Sequence, residues 1–178
     1  IGTLKPAQRP KRVSVVGGGP AGLKAAEIAA RRGHRVTLFE RASELGGQVR
    51  LAARAPTRAD MEEVVRHLIV QCTKLGVELK TGVEVAAEDI LADNSEAVVV
   101  ATGCRPKRTF FSPLRLQEVD IPGADGPNVL TAWDVLGGAE TGARVVVIDQ
   151  DGQWRAAGTS EFLADRGRQV TVLTSFPS

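Results

Sequence analysis

The chain has few of the residues that usually announce chemistry. Cysteine occurs only at Cys72 and Cys104, with no CxxC spacing. That excludes a disulfide framework and a redox cysteine pair, and it falls short of the four thiolates that usually hold an iron–sulfur cluster. Histidine is as sparse: His34 and His67 stand alone, without a second ligand at metal spacing, so no metal site is expected. No apolar run approaches the ~20 residues needed to cross a bilayer. No signal-peptide pattern is visible either, so membrane attachment is not expected and a reducing cytoplasm is the expected compartment. The formal net charge is only +2 and the basic residues are scattered. The one locally basic stretch, Arg9-Pro10-Lys11-Arg12, reads as a solvated linker, so no nucleic-acid partner is expected.

What is present is ordinary globular material. The 178 residues are 43% hydrophobic and 25% charged, enough for one domain or for one domain plus part of another. The chain opens at Ile1 and not at a Met, which suggests processing or a cut from something larger. After a proline-containing linker (1–11), Val13–Val16 reads as a buried strand, Pro20–Arg32 as a helix stopped by Gly33, and Arg35–Phe39 as a second strand ending at Glu40. This is the size of one βαβ unit. Residues 41–58 read as loop with one helical turn. Met61, Val64, Val65, Leu68, Ile69, Cys72 and Leu75 recur at helical spacing, which predicts a helix over Asp60–Leu75. Val77–Lys80 and Val83–Val85 read as short strands. Ala97–Ala101 is wholly apolar, as expected of a strand in the middle of a parallel sheet. Pro106, Pro113, Pro122 and Pro127 interrupt an excursion without periodicity. A short helix is expected at Trp133–Leu136. The pattern then restarts, with a strand at Ala143–Ile148, a helix at Ala157–Asp165 and a strand at Gln169–Leu173. A lone βαβ unit cannot bury both faces of its strands, so the chain is expected to continue past Ser178 in a longer protein.

The chemistry-bearing motif is Gly17-Gly18-Gly19-Pro20-Ala21-Gly22, which matches G-x-G-x-x-G. Gly17 permits the tight turn, Gly19 leaves room for a pyrophosphate, and Gly22 lets helix and strand pack closely. The following helix offers free N–H groups and a positive dipole end to phosphates, and Pro20 sits where a missing N–H costs nothing. Taken alone the motif is weak. Here it follows a strand, opens a helix and is answered by Glu40 at the end of the next strand, where a carboxylate accepts from ribose hydroxyls and disfavours a 2′-phosphate. A plain glycine-rich turn with a surface glutamate would not show all these parts in register. Leu45-Gly46-Gly47-Gln48 is equally consistent with close approach to a ligand and with a flexible loop. Ala101-Thr102-Gly103 follows an apolar strand, at the end where α/β sheets bind ligands. Cys104 beside it reads as a small packing residue. No acid, base or nucleophile stands in a recognisable arrangement, so no catalytic residue is assigned.

Together, GGGPAG, Glu40, LGGQ, ATG and Ile121-Pro122-Gly123 resemble the flavoproteins with two dinucleotide-binding domains. Over Arg12–Thr174 the chain is most similar to the C-terminal half of the old yellow enzyme-like NADH:flavin oxidoreductases, the group of 2,4-dienoyl-CoA reductase, trimethylamine dehydrogenase and histamine dehydrogenase. The resemblance implies an α/β fold. A Rossmann-like FAD/NAD(P)-binding domain with a parallel sheet (12–115) would be followed by a connection (116–142) and the beginning of a second Rossmann-like βαβ domain (143–178). It implies FAD or ADP as the bound cofactor. Gly17, Gly19, Pro20, Ala21 and Gly22 would lie at the pyrophosphate, Glu40 and Arg41 at the adenosine end, Gly47 and Gln48 at the ribose or diphosphate, Val85 at adenine, and Thr102 and Gly103 over the nucleotide. In that family a TIM barrel carrying FMN and an iron–sulfur cluster precedes this region, and homo-oligomers are compatible with it. A flavin-dependent oxidoreductase is thus implied for the parent, and an inactive fragment for the isolated chain.

The second βαβ departs from the pattern. After Val145–Ile148, where a cofactor site would show G-x-G-x-x-G, stands Asp149-Gln150-Asp151-Gly152-Gln153-Trp154-Arg155. Two carboxylates occupy the place of a diphosphate, and the stretch to Gly158 reads as a lengthened turn. This resembles the trimethylamine dehydrogenase branch, whose second domain has lost the fingerprint and whose first site holds ADP. An FAD-binding redox domain and a non-redox ADP-binding module both remain open.

Overall fold

In a computed structural model, residues 3–112, 117–150 and 152–175 are described. The chain divides into two compact units, one of residues 1–50 and 60–104, the other of 51–59 and 105–178. The α/β architecture with parallel sheets agrees with the sequence reading.

The first unit contains β1 (Arg12–Val16), α1 (Pro20–Arg31), β2 (Arg35–Glu40), α3 (Met61–Lys74), β3 (Glu78–Thr81), α4 (Ala87–Ala92) and β4 (Ala97–Val100). The short α2 (Gln48–Ala52) spans the point where the chain passes from the first unit to the second. The strands form one parallel sheet in the order β3-β2-β1-β4. Progression from β1 to β3 runs one way and β4 returns to the other side of β1. This creates a switch point at the carboxyl ends of β1 and β4, where open α/β sheets bind ligands. Val13 and Val15 of β1, Leu23 and Ala26 of α1, Val36 and Leu38 of β2, and Val65, Leu68 and Cys72 of α3 build the core. Leu23 is fully buried, and truncating such a leucine to alanine costs about 2–5 kcal/mol. The buried carboxylate of Glu27 is paired with Lys24 (2.7 Å) and Arg31 (2.8 Å) on its own helix. Burial, and next the charge of Glu27, push the Cys72 thiol above its ordinary pKa.

Several expectations need correction. β4 is not in the middle of the sheet but at its edge, with β1 as its one described neighbour. Only Ala97 and Val99 pack on the core, while Val98 and Val100 are 45% and 74% exposed. A wholly apolar run does not say which face will be covered. Val83–Val85 is not part of a strand and has no regular structure. The Val83 N–H donates to Glu40 O, closing the end of β2 and not starting a new ladder. Helix α4 was not anticipated; at its start the Ala86 N–H donates to the Asp89 carboxylate at 2.8 Å.

In the second unit, β5 (Phe110–Ser112) and β6 (Gln117–Val119) pair antiparallel inside the excursion that had read as irregular. Then follow α5 (Ala132–Gly137), β7 (Arg144–Asp149), α6 (Trp154–Ala164) and β8 (Gln169–Thr174), with β7 and β8 parallel. Thr131 and Asp134 cap α5 reciprocally, and Gly138 closes it in the left-handed region. Ala55, Val135, Leu136, Phe162 and Leu163 form the core. Segment 51–59 is integral to it: Arg54 donates to Leu136 O at 3.0 Å, and the Arg58 guanidinium lies 4.1 Å from the Trp154 ring centre. Helix α6 begins at Trp154 and not at Ala157, so Gly158 is a buried helical residue facing Ala55 and no part of the turn. The reason is that nothing in Trp-Arg-Ala-Ala opposes helix, so the chain turns helical as soon as Gly152, at φ 60°, has reversed it.

Candidate functional site

The loop between β1 and α1 is anchored by backbone where it leaves β1. The Gly17 N–H donates to Phe39 O at 2.8 Å and the Ala101 N–H to Val16 O at 2.8 Å, so the ends of β1, β2 and β4 meet under it. Gly17 has φ 110°, and a Cβ there would collide with Ala101 O. A Cβ on Gly22 would collide with Gly17 O. These two glycines are demanded by the fold itself. Gly19 differs: it is extended (φ −75°, ψ 179°), and no described atom lies within 4 Å of where its Cβ would sit. The packing does not require glycine there.

Beyond Gly19 begins α1, with Pro20 in its first turn, no side-chain cap among the described residues and no acidic residue in that turn. Its amino end therefore keeps its partial positive charge. Ala21 is exposed beside it. The Glu40 carboxylate approaches from the end of β2. One oxygen accepts from the Gly18 N–H at 2.6 Å and the other from the Ala42 N–H at 2.9 Å. A negative charge is thus fixed beside the glycine loop, while Arg41 next to it is exposed.

A second loop forms the adjoining wall. The Gly46 N–H donates to Gly18 O at 2.8 Å, and Gly47 lies so near Gly19 that a Cβ on it would be 3.2 Å from Gly19 Cα. Gln48 reaches the 101–104 turn, where Nε2 donates to Cys104 O at 2.9 Å. Thr102 and Gly103 are exposed on this turn. Gly17, Gly19, Pro20, Ala21, Gly22, Glu40, Gly47, Gln48, Thr102 and Gly103 thus belong to one neighbourhood at the carboxyl end of the sheet. Val85 is half-buried in the irregular stretch that leaves β3, past the Val83–Glu40 hydrogen bond. Three participants were not singled out from sequence. Gly18 presents its N–H to Glu40, Gly46 ties the second loop to the first, and Ala101 O packs on Gly17. The adjacent glycines at 17–19 and 46–47 were the available signal for the first two. Cys104 is exposed and bonded to Gln48, not a buried packing residue.

The corresponding turn of the second unit, at 150–153, is built differently. Asp149, at the end of β7, accepts from the Gly152 N–H at 3.0 Å and from the Thr174 hydroxyl at 3.2 Å. The carboxylate of the strand that feeds this turn is thus folded back into it, ahead of the first residue of α6. Asp151 lies outside the described residues. No group of three or more His, Cys, Asp or Glu able to hold a metal occurs among the described residues. No helix there is long and apolar enough to cross a membrane.

A parallel β3-β2-β1-β4 sheet with a glycine turn feeding an uncapped helix, and a carboxylate at the tip of the next strand, defines a nucleotide-binding α/β unit of Rossmann type. Residues 2–123 match the family described as pyridine nucleotide-disulphide oxidoreductase, and the chain belongs to that family. Among its relatives, the probable N-methylproline demethylase of Rhizobium meliloti is 40% identical over 165 residues, covering 92% of this chain and 23% of the relative. The N,N-dimethylglycine/sarcosine dehydrogenase of Chromohalobacter salexigens is 39% identical over 174 residues, covering 96% and 24%. The structure of histamine dehydrogenase from Rhizobium sp. 4-9 superposes with a TM-score of 0.87 at 29% identity, covering 97% of this chain and 25% of that one. The resemblance drawn from the motifs, to the nucleotide-binding region of the old yellow enzyme-like and amine dehydrogenase-like flavoproteins, is thereby borne out. The chain spans about a quarter of the length of the curated relatives it matches.

Proposed function

We propose that the first unit binds the ADP portion of FAD, or ADP itself, on the 17–22 loop. The observation that carries this reading is the contrast within the loop. Gly17 and Gly22 are glycine because backbone would collide with a side chain, whereas Gly19 fronts open space at the uncapped amino end of α1. A diphosphate fits that space, its charge met by the helix end and the N–H groups of Ala21 and Gly22. Glu40 and Arg41 take the adenosine ribose end, Gly47 and Gln48 the adjoining ribose or diphosphate, Val85 the adenine, and Thr102 and Gly103 cover the nucleotide. FAD, when bound, would supply the electron-transfer chemistry, and this chain's residues bind and orient it. The parent would be a cytoplasmic flavin-dependent oxidoreductase. Its preceding barrel would hold FMN and an iron–sulfur cluster, and homo-oligomerisation is compatible with it.

The second reading, a non-redox ADP-binding module, is favoured by one feature: the strand-to-helix turn of the second unit lacks G-x-G-x-x-G and carries Asp149 on the Gly152 N–H. Titration calorimetry of the ligand-free chain with ADP, FAD and NAD tests the common claim, for which heat with ADP and FAD is expected. Folded protein giving no heat with any of them would overturn it. A visible spectrum of purified protein separates the two readings, because flavin absorbs in the blue and ADP does not.

A further inference from the structure

We infer that Gln48 is a positioning residue, a latch by which its carboxamide ties the 45–48 loop to the 101–104 turn and so sets the width of the nucleotide cleft. This rests on the proposed nucleotide site, but the latch is a property of the ligand-free chain. The glycine loop is flanked by two walls with different anchorage. The 101–104 turn is fastened to β1 through the Ala101 N–H on Val16 O and the contact of Ala101 O with Gly17. The 45–48 loop is fastened to the glycine loop through the Gly46 N–H on Gly18 O. What joins one wall to the other is Gln48. Its Nε2 donates to Cys104 O at 2.9 Å and lies 3.5 Å from Cys104 Sγ. The close fit is supported from both ends. Gly103 has φ 75°, and a Cβ there would stand 3.1 Å from Gln48 Nε2, while a Cβ on Gly47, at φ 53°, would stand 3.2 Å from Gly19 Cα.

The donor must be an amide N–H. A carboxylate of the same length would place an acceptor against the Cys104 carbonyl, and a thioether would offer no donor. The bond is exposed, so its contribution is modest, as is typical of a hydrogen bond that competes with water. Its consequence is geometric. With the latch closed the two walls move together and the cleft is preformed, and with it open each wall moves on its own anchor.

The two cysteines supply a test that does not need the nucleotide. Cys104 is exposed beside the latch, whereas Cys72 is fully buried and its thiol pKa is raised by burial. Alkylation kinetics of the ligand-free 178-residue chain, resolved by peptide mapping, would be compared for the native sequence, Gln48→Met and Gln48→Glu. In Gln48→Met, Cys104 is expected to react several-fold faster with Cys72 unchanged. In Gln48→Glu the new carboxylate beside Cys104 Sγ opposes the reactive thiolate, so that variant is read by calorimetry. In both, ADP affinity is expected to fall by about five- to tenfold, the scale of one modest hydrogen bond. Simple loss of stability would accelerate both cysteines together. Unchanged Cys104 kinetics in Gln48→Met, or parallel acceleration of Cys72, overturns the latch. Faster Cys104 reaction in a chain that binds no adenine nucleotide would keep the latch and remove the nucleotide reading beneath it.

Discussion

The two strand-to-helix turns of this chain are alike in topology and differ in length and in the strand that supplies their carboxylate. At 17–19 the turn is all glycine, and α1 begins without a side-chain cap or an acidic residue in its first turn. A carboxylate from the neighbouring strand, Glu40, holds the Gly18 and Ala42 N–H groups. At 150–153 the carboxylate comes from the preceding strand itself, and Asp149 accepts the Gly152 N–H. Both helices begin without a side-chain cap among the described residues and without an acidic residue in the first turn. What separates the two turns is their length and the origin of the carboxylate: three glycines with an anion from the neighbouring strand at 17–19, against four residues with an anion from the strand that feeds the turn at 150–153.

The largest effect that would break the contrast is expected at Gly22. Gly22→Ala drives a Cβ into Gly17 O, and a rigid clash of that kind should cost about 3 kcal/mol or more of stability. Chemical denaturation of the purified variant would measure it, and native-like stability would mean that the loop can relax. Gly19→Val sharpens the same comparison by separating fold from ligand. With no described atom within 4 Å of the new Cβ, the melting temperature should stay close to native while ADP binding by calorimetry is abolished. Retained affinity would move the diphosphate elsewhere.

The converse experiment is made in the second unit. Asp149→Gly combined with Asp151→Gly removes both carboxylates, yet the turn keeps its extra length relative to 17–19. NAD is expected to remain unbound in calorimetry, and heat on titration would show that charge alone had closed this turn.

The smallest effect concerns α5, a helix start with the side-chain cap that α1 lacks. The Thr131 hydroxyl and N–H both donate to the Asp134 carboxylate at 2.8 Å, and the Asp134 N–H donates back to the hydroxyl at 3.3 Å. Thr131→Ala should cost about 1 kcal/mol. The Thr131 N–H first, then its hydroxyl, and also the Arg108 charge hold Asp134 below its ordinary pKa. A depressed carboxylate stabilises the fold at pH above its ordinary pKa, and that contribution is lost as pH falls through the lowered folded value. Urea midpoints measured from neutral pH downward should therefore drop less steeply on the acid side in Asp134→Asn than in the native chain.

Much of the first unit was legible because its signals are local. Helical spacing from Met61 to Leu75 located α3, Gly33 marked the end of α1, and the strand–glycine–helix–Glu40 order named the ligand class. The misreadings share a cause, since each turned on what lies across space. Ala97–Ala101 is apolar throughout, but only pairing shows that β4 is an edge strand with Val98 and Val100 exposed. The excursion after Cys104 gave no period, yet Phe110–Ser112 and Gln117–Val119 find each other as a hairpin. No pattern in 51–59 announces that Ala55 will be core to the second unit.

By itself the sequence determined the α/β class, the glycine loop and its carboxylate, and the absence of a fingerprint at Asp149–Arg155, because each is written in residues close together in the chain. Only the tertiary structure decided which glycines the fold needs and which one is free for a ligand. Gly17 and Gly22 are confined by carbonyls of Ala101 and Gly17, whereas no described atom stands within 4 Å of where a Cβ on Gly19 would sit. It also decided that Gln48 meets Cys104. Those facts depend on atoms brought within a few ångströms by the closing of the sheet, and a linear pattern carries the kinds of residue but not the distances between them.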